Sequence, residues 1–403
     1  MHRLSRAIVH ELNAVVVFHT SIIAHEVELY GVTHALVDFL KSRVGKLLVV
    51  KHPFYYCEDN RSRAYLFVNG VIVQKAEMPG LKLPEVFSYL KDLIVTPYLI
   101  LKFASRKGRK FNLYIGADCL NALVGIFLHR IGVVQSVVFY GIDYTPRRFK
   151  NPLKNSIYQA LNKIASQHSD FIWNVSCRMA EVRERFGVER WRNLVVLAGT
   201  YNKNDIKRVP SGASRTLVIV SHLTQSKGIQ LAIRALPKIV ERIRDANLFV
   251  IGTGPYEKEL KHMVKELHLD NHVEFLGPMH HGQLMSFLPK CGIALATYVP
   301  DPYSITVYAD PIKIKDYLAC GLPIIVTKVP EAAYEVEHNK VGLAIDYSEE
   351  ELAKAVVKVL TDEKLFKEMR ENALELAAKY DYERVFADVL EKCIRGQQMC
   401  KLE

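Results

Sequence analysis

Short runs rich in Val, Ile, Leu, Phe and Tyr recur along the chain, separated by stretches with helical spacing of apolar positions. In the first half, Ala14–Phe18, Lys46–Val50, Asn112–Gly116, Ser136–Tyr140, Phe171–Val175 and Leu194–Ala198 predict strands. Tyr65–Val68 and Val71–Val73 flank Asn69-Gly70, a dipeptide suited to a type I′ turn, and predict a hairpin. The second half repeats the alternation more regularly, with strands expected at Thr216–Val220, Asn247–Ile251, His272–Leu276, Ile293–Thr297, Pro323–Val326 and Gly342–Ile345. Ile229, Ile233, Leu236, Val240 and Ile243 mark one face of a helix between the first two of these. Strands alternating with helices imply parallel sheets covered on both faces. The expectation is an α/β chain with two tandem doubly wound domains facing a cleft. The first runs over residues 1–205 and the second over 206–378, joined through the polar stretch Tyr201–Ser214. Residues 379–403 hold a last helix, about Tyr382–Arg395, expected to pack back on the first domain.

Tyr308–Thr327 reads YADPIKIKDYLACGLPIIVT. Asp310 suits an N-cap and Pro311 the first helical position, while Gly321 and Pro323 stop the helix before a strand. Lys313 and Asp316 are three apart and share one face near the helix start. Free N–H groups, the helix dipole and a lysine together suit a diphosphate. A carboxylate one turn on suits sugar hydroxyls. The segment therefore points to a nucleotide-sugar site.

Three further loops follow predicted strands. Ser221-His222-Leu223-Thr224-Gln225-Ser226-Lys227-Gly228 precedes a helix, and Lys227 could neutralise a leaving phosphate or be a solvated helix-start lysine. Gly252-Thr253-Gly254 lacks the third glycine of the dinucleotide fingerprint, so the pair reads first as a tight turn. Tyr298–Ala309 is long for a connection inside a compact domain. It offers Asp301, Tyr303, Ser304, Thr306 and Tyr308 to sugar hydroxyls, or forms a solvated loop around Pro300 and Pro302.

Composition narrows the partners. A formal charge of +11 over 403 residues favours anionic ligands. The basic residues are dispersed without a recognition motif, which argues against nucleic acid. Seven scattered cysteines without metal-type spacing read as thiols of a reducing compartment. Neither a signal-peptide core nor a membrane-spanning run is present, despite His2, Arg3 and Arg6 at the start. The default location is cytoplasmic. The histidines, including His280-His281, lack metal-ligand spacing, and there is no Asp-x-Asp triplet, so no metal or other cofactor is expected.

The order and spacing of SHLTQSKG, VIGTGP, VEFLG and DPIKIKDYLACGLPIIVT resemble the donor domain of GT-B glycosyltransferases, in particular glycosyltransferase family 4, over about Arg215–Arg395. The first half is similar more loosely, through its strand order and YIGADCLNALVG followed by VVFYGIDYTPRRF. The resemblance implies a GT-B fold of two Rossmann-like domains and a UDP- or GDP-sugar as donor. By position it makes Lys227 the lysine on the donor diphosphate, with His222 where an arginine is usual. Backbone from Ala309, Asp310, Pro311 and Ile312 to Lys313 matches the turn that cradles the phosphates, Lys313 matches the lysine of its P-x-K variant, and Tyr308 stands beside it among the donor-binding residues. Asp316 matches the acid that grips the ribose, and Val273–Gly277 lies where the base docks. The first acid of the family's pair falls at Tyr308, and Gly292 replaces a usual aspartate. The glycine pair common in the first amino-terminal loop is absent; Glu28, Tyr30, Gly31 and His34 occupy roughly that region.

In the first half, Asp143 follows the strand Ser136–Tyr140 and is the acceptor-side candidate, or else a loop cap beside Arg147, Arg148 and Lys150. Val86–Lys110 combines Leu90, Leu93, Ile94, Tyr98, Leu99, Leu101 and Phe103 with Arg106, Lys107, Arg109 and Lys110. It is either a buried helix with a basic loop or a peripheral contact with the inner face of the cell membrane. The expected activity is retaining, metal-independent transfer to a glycan or lipid-linked acceptor. Lys227, Lys313 and helix N–H groups would stabilise the leaving diphosphate. The rivals are a non-catalytic nucleotide-sugar-binding subunit or scaffold, and an epimerase or phosphorylase of the same architecture.

Overall fold

The computed structural model describes residues 12–23, 27–104, 110–202, 204–205 and 214–399. Arg106, Lys107 and Arg109 of the basic cluster, and His2, Arg3 and Arg6, lie outside the described residues. The chain divides into two compact units, one of residues 1–198 with 382–403 and one of residues 199–381.

The first unit is built on strands β1 (Asn13–Thr20), a small antiparallel pair β2 (Ile22–Ile23) and β3 (Val27–Glu28), β4 (Lys46–Pro53), β5 (Arg63–Val68), β6 (Val71–Glu77), β7 (Phe111–Ala117), β8 (Val134–Gly141), β9 (Phe171–Asn174) and β10 (Asn193–Val195). Eight of them form a sheet in the order β10-β9-β8-β7-β1-β4-β5-β6. The pairings from β10 to β4 are parallel, and the β5–β6 hairpin adds antiparallel strands at the edge. Asn69 and Gly70 both take positive φ, 50° and 80°, the signature of the type I′ turn that the dipeptide predicts. β1, bordered by β4 on one side and β7 on the other, marks the point where the winding reverses.

Helices Glu85–Phe103, Cys119–Arg130 and Pro152–His168 belong to this unit. So does the terminal helix Tyr382–Met399. Its Phe386 is fully buried against the rings of Phe39 and Trp173, 5.8 and 6.4 Å away. The Trp173 indole N–H points at the Cys393 sulfur, 3.4 Å away. Full burial of one phenylalanine contributes about 2–3 kcal/mol, so this helix is part of the unit's core.

The second unit contains β11 (Thr216–Val220), β12 (Asn247–Ile251), β13 (Val273–Gly277), β14 (Ile293–Ala296), β15 (Ile324–Thr327) and β16 (Gly342–Ile345), all parallel, in the order β13-β12-β11-β14-β15-β16. The winding reverses between β11 and β14, so the loops leaving these two strands border a crevice at the carboxyl edge. Helix Ile229–Arg242 buries Ile229, Ile233, Leu236 and Ile239 in the core, as its apolar stripe requires.

The expected Asp310 helix departs from its sequence reading. It is two pieces, Ile305–Tyr308 and Ile312–Ala319, separated by an extended break. Pro311 is the N-cap residue rather than the first helical one, with ψ 104°. Asp310 caps nothing; its carboxylate forms a close ion pair with the buried Lys315 ammonium. A buried lysine needs a counter-charge, and that need overrides the local capping preference.

Candidate active site

In the second unit the loop after β11 contains a 3-10 turn, Gln225–Lys227, and ends at Gly228 with φ 74°. A Cβ on Gly228 would lie 1.5 Å from the Thr297 carbonyl oxygen. The Thr297 hydroxyl donates to the Gly228 carbonyl at 2.8 Å, and Val299 N–H donates to Ser226 O at 3.1 Å. The β11 and β14 loops are thus laced together. Lys227 Nζ reaches Thr306 Oγ1 at 3.4 Å and lies 5.7 Å from the centre of the Tyr298 ring. Lys313 Nζ donates to Ser221 Oγ at 3.0 Å and lies 5.3 Å from the same ring. Burial, and then the charge of Lys227, push the Lys313 pKa well below that of an ordinary lysine. The Tyr298 hydroxyl is itself buried and finds no hydrogen-bond partner among the described residues.

Two lysine amines gathered about one aromatic ring, one of them at the first turn of a helix, form a receptacle that an anion would complete. His222 stands beside them with its outer edge exposed. Partial burial of the ring lowers its pKa, with the two lysine charges adding to the effect against a hydrogen bond to the Thr253 backbone. Cβ atoms on Gly252 and Gly254 would come within 1.9 Å of Ser221 O and 2.4 Å of Leu223 O, so close chain packing accounts for both glycines. Gly277 ends β13 with φ 69°, its carbonyl accepting from Gly252 N–H at 2.9 Å. At Gly292 a Cβ would sit 1.8 Å from Ser214 O, which accounts for glycine where the resemblance places an aspartate.

The remaining predicted residues divide. Tyr308 and Ala309 close the Ile305–Tyr308 turn and Ile312 opens the next helix, so the break between them carries the backbone of the expected cradle. Asp316 does not accompany Lys313. It is buried, with Oδ1 accepting from the Thr200 hydroxyl at 2.5 Å and lying 3.5 Å from His281 Nε2. Thr200 Oγ1 and His281 Nε2 are 3.0 Å apart, closing a three-residue cluster. In the long loop, Asp301 accepts from Tyr303 N–H and Ser304 caps the short helix, so these two serve the turn. Thr306 is buried and faces Lys227.

The first unit carries its own polar cluster, at the point where its winding reverses. His19, near the end of β1, places Nδ1 3.0 Å from Asp118 Oδ2 and Nε2 3.2 Å from Asp92 Oδ2. Burial by itself would lower the His19 pKa, but the two carboxylate hydrogen bonds outweigh it and raise it to about 9. Asp92 also meets His52 Nδ1 at 3.2 Å. Asp118 follows β7 with φ 72° and caps the next helix, its Oδ1 accepting from Leu120 and Asn121 N–H. None of His19, Asp92 and Asp118 was singled out by sequence pattern, although the last position of a first strand is where such a search should start. Asp143 is exposed on the loop after β8. With His19, Asp118 and Arg148 it lines one end of a cavity of about 710 Å³ between the helices Glu85–Phe103, Cys119–Arg130 and Pro152–His168. Among the described residues no three His, Cys, Asp or Glu side chains are grouped as a metal ion would require.

Residues 202–376 match the family model of glycosyl transferases group 1. This part of the chain is a group 1 glycosyltransferase domain. The domain is similar to that of a GDP-mannose-dependent alpha-(1-6)-phosphatidylinositol monomannoside mannosyltransferase of Mycobacterium tuberculosis, 31% identical over 164 residues, covering 39% of this chain and 41% of the relative. N-acetyl-alpha-D-glucosaminyl L-malate synthase of Bacillus anthracis is 25% identical over 189 residues, covering 45% and 47%. The chain spans less than half the length of these curated relatives. Over 94% of this chain and 100% of the other, the structure is similar to Anabaena Alr3699/HepE in complex with UDP, at TM-score 0.66 and 17% identity. WaaG, a glycosyltransferase involved in lipopolysaccharide biosynthesis, is similar over 93% and 98%, at TM-score 0.62 and 15% identity. The fold around the group 1 domain is GT-B, two Rossmann-like units.

Proposed function

We propose that the chain is a retaining, metal-independent glycosyltransferase that moves a hexosyl group from a UDP- or GDP-sugar to a glycan or lipid-linked acceptor. The observation that carries this reading is the convergence of Lys227 and Lys313 over Tyr298, at the switch point of a group 1 domain. In this reading the donor diphosphate lies against the two ammonium groups and the N–H groups of the Pro311 turn, with backbone from Tyr308 to Ile312 as its cradle. His222 flanks the phosphates, the base docks along Val273–Gly277, and Asp316, held by Thr200 and His281, is the acid that the resemblance sets against the ribose. Asp143 meets the acceptor or the transferred sugar.

The acceptor hydroxyl oxygen bonds to the anomeric carbon on the face that the diphosphate vacates. The bond from that carbon to the phosphate oxygen breaks and its electron pair stays with the phosphate. The hydroxyl proton passes to the same oxygen, so no separate enzymic base is required. The protein's contribution is electrostatic, charge placed in advance where charge grows. GDP-mannose in the name of one relative and UDP bound to one structural neighbour support a nucleoside-diphosphate donor. Among the described residues no helix is long and apolar enough to cross a membrane. Activity at the cytoplasmic face of a membrane, through a peripheral contact, belongs to the same proposal.

A second reading rests on Tyr308 and Asp316. A tyrosine stands where the resemblance places an acid, and the Asp316 carboxylate is engaged by Thr200 and His281. A non-catalytic nucleotide-sugar-binding subunit would have this character. Incubation with UDP- and GDP-sugars and a mixed acceptor panel, followed by NMR of the product anomer, separates the two. Donor binding without hydrolysis or transfer selects the scaffold, and an inverted anomer refutes retention.

A further inference from the structure

We propose that the cavity between the helices Glu85–Phe103, Cys119–Arg130 and Pro152–His168 takes the hydrocarbon chain of a phosphate-bearing membrane lipid, with Arg148 gripping the phosphate. This rests on the transferase reading above and names the class of its acceptor.

The cavity is two-faced. Leu90, Leu93, Leu123, Phe127, Ile157 and Leu161 give it an apolar wall. Polar side chains collect where the β-strands end, at His19, Asp118, Asp143 and Arg148, with Glu85 and Lys154 also on the lining. About 710 Å³ is within the range of sites that enclose most of a small ligand. An apolar chamber closed at one end by a charged cluster matches an amphiphile better than a sugar alone.

Arg148 supplies the second observation. Its side chain is partly buried on the cavity lining. Burial by itself would lower its pKa, but the surrounding charges, Asp143 first, outweigh it and keep the guanidinium a cation, while its N–H fork makes no hydrogen bond among the described residues. A guanidinium fork fits a phosphate bidentately. The neighbouring Asp118 and Asp143 carboxylates accept hydrogen bonds from hydroxyls, so the head group suited to this end carries a phosphate and hydroxyls together.

The outer rim agrees with a lipid source. The helix Glu85–Phe103 buries Val95, Thr96, Leu99 and Ile100 but turns Phe87, Leu90, Ile94, Tyr98 and Leu101 outward, Ile94 at 73% exposure. Leu153 and Ile157 extend the exposed apolar patch from the helix Pro152–His168, and Lys154 lies among them. Contiguous exposed apolar surface with basic residues is the composition of a face that rests on an anionic bilayer. A lipid could then pass from bilayer to cavity without its chain crossing water.

The test uses the full chain and a fluorescent lysophosphatidic acid below its micelle concentration, compared with the monoglyceride of the same chain, which lacks the phosphate. Saturable one-to-one binding is expected, with the monoglyceride at least about tenfold weaker, because charged hydrogen bonds carry the difference. Arg148→Ala should erase the preference for phosphate, and Ile157→Trp, which narrows the cavity from an exposed position, should weaken both probes about tenfold. Vesicles of phosphatidylcholine with phosphatidic acid should retain the protein, and pure phosphatidylcholine vesicles should retain it less. No saturable binding overturns the proposal, as does equal affinity for the two probes. A phosphate preference unchanged in Arg148→Ala, or wild-type binding by Ile157→Trp, overturns it too. Displacement of the probe by an amphipathic helical peptide at lower concentration than by unlabelled lipid reassigns the groove to a protein segment and also overturns it. Thermal shifts with UDP and GDP on the same preparations keep the two readings apart. Their absence with lipid binding intact strikes the donor reading alone.

Discussion

Lys227 and Lys313 come from loops after different strands, yet their ammonium groups lie 5.7 and 5.3 Å from the centre of a single ring, that of Tyr298. Two like charges so close are tolerable only because Lys313 is held well below the ordinary lysine pKa, by burial and by Lys227. An arriving diphosphate reverses that balance. Nucleotide binding should therefore draw a proton onto Lys313. Calorimetric titration of UDP or GDP at pH 8, in two buffers of different ionisation enthalpy, should show net proton uptake. Lys313→Met should abolish it, and equal heats for the wild type in both buffers would contradict the assignment.

If these two side chains stabilise the leaving diphosphate, their loss should fall on turnover. Lys227→Ala and Lys313→Ala are each expected to lower kcat by on the order of a hundredfold at saturating donor, the scale seen for removal of one preorganised electrostatic contact. Unchanged kcat with a raised KM would show instead that the lysines only bind ground-state donor.

His19 gives a stability prediction with a defined sign. Its folded pKa is raised from 6.5 to about 9, so protonated His19 stabilises the fold. That stabilisation is complete below pH 6.5 and is lost as pH rises through 9. The ceiling is about 3 kcal/mol for a difference of this size. Lys313 and Lys315, both held below the ordinary lysine value by burial, act in the opposite sense over the same range, so the readout is the difference between the wild type and His19→Gln. That difference in urea midpoint should shrink from pH 6.5 to 9.5, and a constant difference would contradict the assignment.

Two glycines with the same backbone sign should respond differently to alanine. Gly228 and Gly277 have φ 74° and 69°. A Cβ at Gly228 meets a carbonyl oxygen at 1.5 Å, whereas nothing lies within 4 Å of one at Gly277. Gly277→Ala should cost about 1–2 kcal/mol from the backbone conformation alone. Gly228→Ala must also part the two laced loops, so its melting temperature should drop well beyond that of Gly277→Ala, and nucleotide thermal shifts should weaken with it.

Phe386→Ala tests the terminal helix. Truncation of a fully buried phenylalanine is expected to cost about 3–5 kcal/mol. The fluorescence of Trp173, which stacks on Phe386, should report the loss directly.

The parallel sheets were legible because buried strands write continuous apolar runs, and Asn69-Gly70 announced its turn by chemistry. Lys227 was legible at the end of a loop and Lys313 at the start of a helix, but their meeting at Tyr298 depends on the strand order, which places β11 beside β14. Asp310 misled because its capping preference is local, while the buried Lys315 that claims it is a tertiary demand. The Glu85–Phe103 helix misled differently. Its apolar positions are not one stripe but two, and where the sequence offered either a buried or a membrane-facing reading the helix has one buried and one exposed apolar face. His19, Asp92 and Asp118 come from three distant segments and show no shared spacing at all.

The chain leaves the first unit at residue 198 and comes back to it at 382, so the second unit is, in linear terms, an insertion. On a ribosome the pocket that Phe386 fills stands open until the whole intervening domain has been made. Residues 199–381 hold a sheet of their own and can fold first, whereas the earlier-made half must wait for the segment from residue 382 onward. A messenger that stops short of codon 382 would thus release a sound second unit attached to an unfinished partner, and quality control would see the amino-terminal half as the defect.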